Sequence, residues 1–230
     1  MSCGCLKPKC GTQPANQFWC ENEGRDVEFV SLTEFLPRIT LIAKGVSDDI
    51  ALEYIRQACQ TLARDALLLQ RELYLDIQAQ VRDYYLTQGD FEQVHYVSDI
   101  HLRKEKKTCF APHKRLGRIE CRDFVFEPND KIILTKTPKS DAENQLFVRY
   151  FAIPTQTACE VDKLLFDRYH DVIVNGALSY LLLMRQYQFA DPQMAMIYEQ
   201  RFKQGIAQAK IDVAKQFETT TQTLNHWGRI

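Results

Sequence analysis

The sequence predicts an α+β fold, and two changes of period carry that prediction. Apolar residues recur every three or four positions from about Asp48 to Gln70 and again through the C-terminal third, the repeat that lines one face of a helix. Between these regions, over 73–153, the pattern drops to alternation and is punctuated by turn signals, as expected of an antiparallel β module. Strands that follow one another, with helices before and after, define the α+β class. No stretch repeats at a solenoid period, and no heptads persist over several turns.

The elements follow in order. Residues 1–26 are rich in Cys, Gly, Pro, Asn and Gln, show neither period, and read as an N-terminal arm. From Val27 to Ile42 the pattern is short and mixed; Phe29, Leu32, Phe35, Leu36, Ile39 and Leu41 are available for burial, and Pro37 argues against a long helix. Gly45 separates this lead-in from a helix over 48–70. Ser47 is its expected N-cap, Asp48 and Asp49 favour the positive end of its dipole, and Ala51, Ile55, Ala58, Leu62, Ala66 and Leu69 form one face.

Leu73, Leu75, Ile77, Ala79 and Val81 then alternate with polar residues through Arg82 and predict a strand with one buried face. Further strands are expected at Gln93 to His101, Arg118 to Phe126, Lys131 to Thr135 and Gln145 to Ile153. Turns separate them at Gly89-Asp90, at Pro128-Asn129-Asp130 and at Lys139-Ser140-Asp141. A helix over 162–184 places Leu165, Tyr169, Val172, Ile173, Ala177, Leu181 and Met184 in one stripe. The next, over 191–217, is capped by Asp191 with Pro192 at its first position, and Met194, Tyr198, Phe202, Ile206, Ala209, Val213 and Phe217 continue the stripe. The two should form a helical hairpin. One domain over 27–217 and a polar tail over 218–230 complete the division of the chain.

At 230 residues the chain can bury a sizeable core. A net charge of -1 gives no support for a protein that coats nucleic acid. No apolar run approaches the roughly 20 residues that cross a bilayer, and residues 1–15 lack the apolar core of a secretory signal. A soluble protein made in the cytoplasm, with no membrane partner, is expected.

Four of the eight cysteines, Cys3, Cys5, Cys10 and Cys20, crowd into the first twenty residues. In a reducing compartment they could hold zinc through four thiolates, although they lack the paired Cys-x2-Cys knuckles of common zinc modules. The simpler reading is an extension with reduced thiols. Cys59, Cys109, Cys121 and Cys159 are scattered and read as small buried apolar residues. His95, His101, Cys109 and His113 form a weaker metal constellation, which spacing alone does not bring together. Asp48 with Asp49 and Asp167 with Asp171 invite an acid and base reading, but helix capping and a solvated face explain them more simply. Phosphate loops, dinucleotide fingerprints, His-Glu-x2-His and nucleophile elbows are all missing, so no enzyme is expected.

Residues 103–122 are locally basic, with Arg103, Lys104, Lys106, Lys107, Lys114, Arg115, Arg118 and Arg122 against Glu105 and Glu120. Lys104, Lys106, Lys107, Lys114 and Arg115 could face DNA or an acidic partner. The alternative is a solvated hairpin tip.

Two blocks carry a resemblance to a known family. One runs from Ile39 to Cys59, where a short segment and Gly45 precede a long helix. The other runs from Tyr169 to Leu182, with Gly176-Ala177-Leu178 and Leu181-Leu182, followed by Asp191-Pro192, Ala195, Tyr198, Phe202, Gly205, Ile206 and Ala209. In this order and spacing the chain, from about Leu36 to Gln216, resembles the head-to-tail connector, or tail adaptor, proteins of tailed bacteriophages. The resemblance implies long helices forming a body from which a central antiparallel β module projects, and a structural virion protein at the head-tail junction. It implies a homo-oligomeric ring, commonly of twelve subunits, beneath the portal protein, extending the channel for genomic DNA and presenting a platform to a tail tube or nozzle protein.

A closed ring needs two complementary faces on each subunit, expected on the helices over 48–70 and 191–217 with Ile55, Tyr198, Phe202, Gly205 and Ala209 at the subunit interface. Leu224, Trp227 and Ile230 in the tail are expected to dock on the portal. No cofactor is expected. The competing reading is a zinc-stabilised module, binding protein or nucleic acid, built on the N-terminal cysteines.

Overall fold

The computed structural model describes residues 27–86, 89–102, 119–120, 124–127 and 131–222. They form two compact units: a helical unit of Val27–Leu69 together with the chain from Ala152 onward, and a β unit of Gln70–Phe151. The helical unit opens with strand β1 (Phe29–Ser31), a 3-10 turn (Leu32–Phe35), helix α1 (Leu36–Ile42) and helix α2 (Asp48–Ala66). The β unit carries β2 (Leu69–Ile77), β3 (Asp83–Tyr85), β4 (Glu92–Leu102), β5 (Ile119–Glu120), β6 (Phe124–Glu127), β7 (Lys131–Leu134) and β8 (Ala142–Pro154). The chain then returns to the helical unit through β9 (Glu160–Asp162), α3 (Lys163–Leu181) and α4 (Pro192–Gln222). The α+β class expected from the sequence is the class observed.

In the β unit, β2, β8 and β4 form one sheet in that order, and β3, β7, β6 and β5 form a second, antiparallel one. Leu73, Leu75 and Ile77 are buried on alternate positions of β2, as the period required. The strand expected to run on to Arg82 stops at Ile77. Gln80 adopts a left-handed conformation at φ 65°, and the turn is tied by side chains and backbone: Tyr84 Oη accepts from the Gln78 amide and donates to the Val81 carbonyl, Asp141 accepts from the Ala79 amide, and the Gln80 amide donates to Pro138. Burial raises the Tyr84 hydroxyl pKa, so it stays a donor. The single strand expected over 118–126 is two antiparallel strands, with Ile119 opposite Phe126 and Glu120 opposite Val125. Arg71 Nη2 meets Glu92 Oε1 at 2.6 Å and Nε meets Oε2 at 3.0 Å, a two-pronged pair with both side chains only 14% exposed.

The helical unit buries Leu32, Phe35, Ile39, Ile55, Leu62, Leu165, Ile173, Leu178 and Leu181 almost completely. Pro37 is accommodated in the first turn of α1, where its missing N–H leaves no gap. Phe35 stacks on His170 and meets Phe166 edge-on, and Arg38 pairs with Asp171, which together fasten α1 to α3. Ser47 begins α2 with extended dihedrals but makes no side-chain cap bond. The helix ends four residues earlier than expected because Leu67 turns left-handed (φ 51°, ψ 49°), which frees Leu69 to enter β2 fully buried.

β1 and β9 pair antiparallel across more than a hundred residues of sequence, and Glu28 binds Lys163 Nζ at 2.5 Å beside them. That bond and its charge hold the Glu28 carboxyl below its usual range and the Lys163 ammonium above its own. Asp162 caps α3 by accepting from the Leu164 amide at 2.7 Å. After Leu181 successive turns, closed by the Asp191 amide donating to the Leu182 carbonyl, lead into α4.

Candidate assembly surface

α4 has 31 residues and is therefore about 46 Å long. Asp191 caps it as expected, accepting from the amides of Gln193 and Met194 at 3.1 and 3.0 Å. It runs antiparallel to α3: Gly176 lies against Phe202, and Val172 lies against Gly205. A Cβ on Gly176 would stand 2.8 Å from Phe202 Cε2 and 2.9 Å from the Ala58 Cβ, so α2, α3 and α4 converge at that glycine. A Cβ on Gly205 would meet both Val172 methyl groups at 2.6 Å. The register carries α4 past the beginning of α3, so its last residues, 216–222, extend roughly 10 Å beyond α3.

These contacts decide which side of α4 is available to a partner. Ala195, Tyr198, Phe202, Ile206 and Ala209 face inward and are buried. Met196, Ile197 and Ile211 point the other way and are exposed, Met196 by 63%. Leu41 and Ile42 close α1 with their side chains in solvent, Leu41 by 72%.

A model of the SU10 adaptor protein family matches residues 31–225, from the start of the 3-10 turn to beyond the last described turn of α4. The chain belongs to the SU10 adaptor protein family. A search of curated proteins returned no match. Membership makes this a bacteriophage structural adaptor, and the resemblance drawn from the two sequence blocks rests on the same stretch of chain.

The adaptor's structure gives those blocks a physical meaning. Gly176-Ala177-Leu178 and Gly205-Ile206, with Ala209, are the positions where helices touch, and their small or fully buried side chains are needed for that closeness. It also places the residues expected at a subunit interface. Ile55, Tyr198, Phe202, Gly205 and Ala209, expected at a subunit interface, lie in the helical unit's own packing; Ile55 and Ala209 have no exposed surface left to give a neighbouring copy. Met194, placed in the buried stripe, is exposed, and Ala195 takes the inward position. The outward residues are apolar positions off the stripe, a signal that a single face per helix does not include.

The remaining candidates divide simply. Asp48 and Asp49 start α2 in solvent, and Asp171 is engaged by Arg38, so neither acid pair lines an enclosed cleft. His95 and His101 lie on β4, whereas Cys109 and His113 fall outside the described residues, and no group of three or more metal-ligating side chains occurs among the described residues. Cys59 is buried, as expected, and burial pushes its thiol pKa up. Cys3, Cys5, Cys10 and Cys20, the basic Lys104, Lys106, Lys107, Lys114 and Arg115, and Leu224, Trp227 and Ile230 all lie outside the described residues. No helix among the described residues is long and apolar enough to cross a membrane.

Proposed function

We propose that this adaptor assembles as a ring, commonly of twelve copies in proteins of this kind, between the portal protein and the tail of a tailed phage. There it extends the channel through which genomic DNA passes and offers a platform to a tail tube or nozzle protein. The family match spanning both units carries this reading. The fold supports it: a rigid helical unit suits a ring body, and the outward faces of its helices leave apolar side chains for neighbours. The role is structural, with no catalytic step, and its place is the head-tail junction of the virion. The segment after Gln222, with Leu224, Trp227 and Ile230, docks on the portal. The basic stretch over 103–122 faces DNA or the next ring.

Native mass spectrometry of the protein alone, and mixed with the portal ring of the same virion, tests the reading. A ring-sized assembly, or recruitment to the portal in a fixed ratio, is expected; a monomer indifferent to the portal overturns it. Removing residues 223–230 keeps α4 as far as Gln222 and is expected to abolish portal binding, while unchanged binding would remove the tail from the interface. The same spectra read metal. Stoichiometric zinc, lost on Cys3→Ser and Cys10→Ser, would restore the competing reading of a metal-stabilised module.

A further inference from the structure

The outward side of α4 has a pattern of its own. Ile197, Gln200, Gln204, Ala207, Ile211 and Ala214 recur at alternating intervals of three and four residues, and all six are exposed. They form an uncharged stripe about 26 Å long, at 1.5 Å per residue. Met196, Lys203 and Lys210 border the stripe on one side, and Arg201, Gln208 and Lys215 border it on the other, all of them exposed. The two borders hold four bases and no acid.

The acids in this part of α4 lie off the borders. Asp212 is half-buried and accepts from Gln208 Nε2 at 2.8 Å; burial, and after it the Asp212 charge, raises the Tyr169 hydroxyl pKa, which places this carboxylate toward α3. Glu199 stands one turn from the buried Ala195 and reaches back to Lys203 Nζ at 2.5 Å. Arg201 rests over the Tyr198 ring at 5.8 Å, a contact that holds the guanidinium without neutralising it.

Shape and charge together select an occupant. An uncharged stripe at these intervals, with Ala207 and Ala214 small enough for close approach, fits a second helix lying along the first. Bases on both borders favour acids on the facing borders of that helix. A DNA backbone would supply phosphates to the bases but nothing apolar to Met196, Ile197 and Ile211. Nor does another copy of this chain offer such a helix among the described residues. α2 carries Asp48, Asp49, Glu53 and Asp65 against Arg56 and Arg64, with Lys44 just before it, and α3 carries Asp167 and Asp171 against Lys163 and Arg168. A second α4 would set bases against bases.

We propose that α4 docks, along this stripe, an amphipathic helix of a different protein, apolar along its centre and bordered on both sides by Asp or Glu. The contact needs one subunit only, so it goes beyond the ring reading and does not depend on it.

The test is binding of the full chain to labelled synthetic helices at low salt, read by fluorescence anisotropy. One peptide of about 21 residues, enough to cover the stripe at 1.5 Å per residue, repeats Leu and Ala at intervals of three and four with Glu on both borders. A second has Lys in place of Glu, and a DNA duplex is the third probe. The acidic helix should bind at least about tenfold more tightly than either of the others. Arg201→Glu with Lys210→Glu should turn the preference toward the lysine peptide, and Ile211→Asp should weaken binding of the acidic one; circular dichroism confirms that each variant is folded. No binding of the acidic helix, equal binding of the two peptides, or a preference that survives the reversal overturns the inference. Tighter binding of the duplex assigns the face to DNA and overturns it as well. In phage particles, p-benzoylphenylalanine in place of Ile211 should crosslink to an acidic helical segment of another virion protein; a crosslink to this chain or to DNA instead overturns it.

Discussion

Replacing Gly176 by alanine adds one methyl group where three helices meet, and two opposing effects set its outcome. Alanine stabilises a helix interior by about 1 kcal/mol relative to glycine. Against this, the new Cβ would stand 2.8 Å from Phe202 Cε2 and 2.9 Å from the Ala58 Cβ, where carbon atoms ordinarily rest at about 3.5–4.0 Å. Neither neighbour yields easily: the Phe202 ring is buried, and the Ala58 methyl moves only with the backbone of α2. Overpacking on two sides belongs to the upper part of the roughly 1–3 kcal/mol range, so Gly176→Ala should destabilise the protein by about 1–2 kcal/mol net. In a chain of this size that lowers the melting midpoint by roughly 2–8 °C. Urea titration and thermal melting followed by circular dichroism measure it. Adding Ala58→Gly moves the methyl group across the interface and should recover part of the loss, a coupling that a double-mutant cycle quantifies. A Gly176→Ala protein as stable as the wild type would refute the argument, because helix propensity would then outweigh a contact too loose to matter.

Other perturbations probe separate parts of the fold. Arg71→Met leaves Glu92 without its two-pronged partner in a largely enclosed position and should cost about 2–4 kcal/mol in urea titration; adding Glu92→Leu should return much of it. Asp191→Ala removes the acceptor for two amides at the head of α4 and should cost about 1 kcal/mol, measured in the same way. Cys59, buried with its pKa raised by that burial, should resist a thiol reagent at mildly alkaline pH in the native protein and react on unfolding. Rapid native labelling of Cys59, located by peptide mapping, would contradict its placement.

Much of the helical unit was legible in the sequence. The stripes on α3 and α4, the Asp191 cap with Pro192 behind it, and the first residue of α2 all follow from period and capping chemistry that act within a few residues. Boundaries were less so. The apolar pattern of α2 runs on to Leu69, yet the left-handed turn at Leu67 hands that residue to a strand. Alternation through Arg82 conceals the turn at Gln80, since beside the local Tyr84 hydroxyl its ties come from Pro138 and Asp141, far along the chain. The pairing of β1 with β9 has no local signal at all.

The amino-acid sequence by itself determined the class of fold, the succession of helices and strands, and the family blocks, because periodicity, caps and small residues at set spacings are local properties. What each apolar face packs against was decided by tertiary structure. Tyr198, Phe202, Gly205 and Ala209 had the composition of an interface, but the close approach of α2, α3 and α4 at Gly176 and Gly205 turned them inward. The same packing turned Met196, Ile197 and Ile211, with the bases around them, toward solvent. Period marks the apolar face of a helix, but what that face packs against depends on atoms brought together from distant parts of the chain.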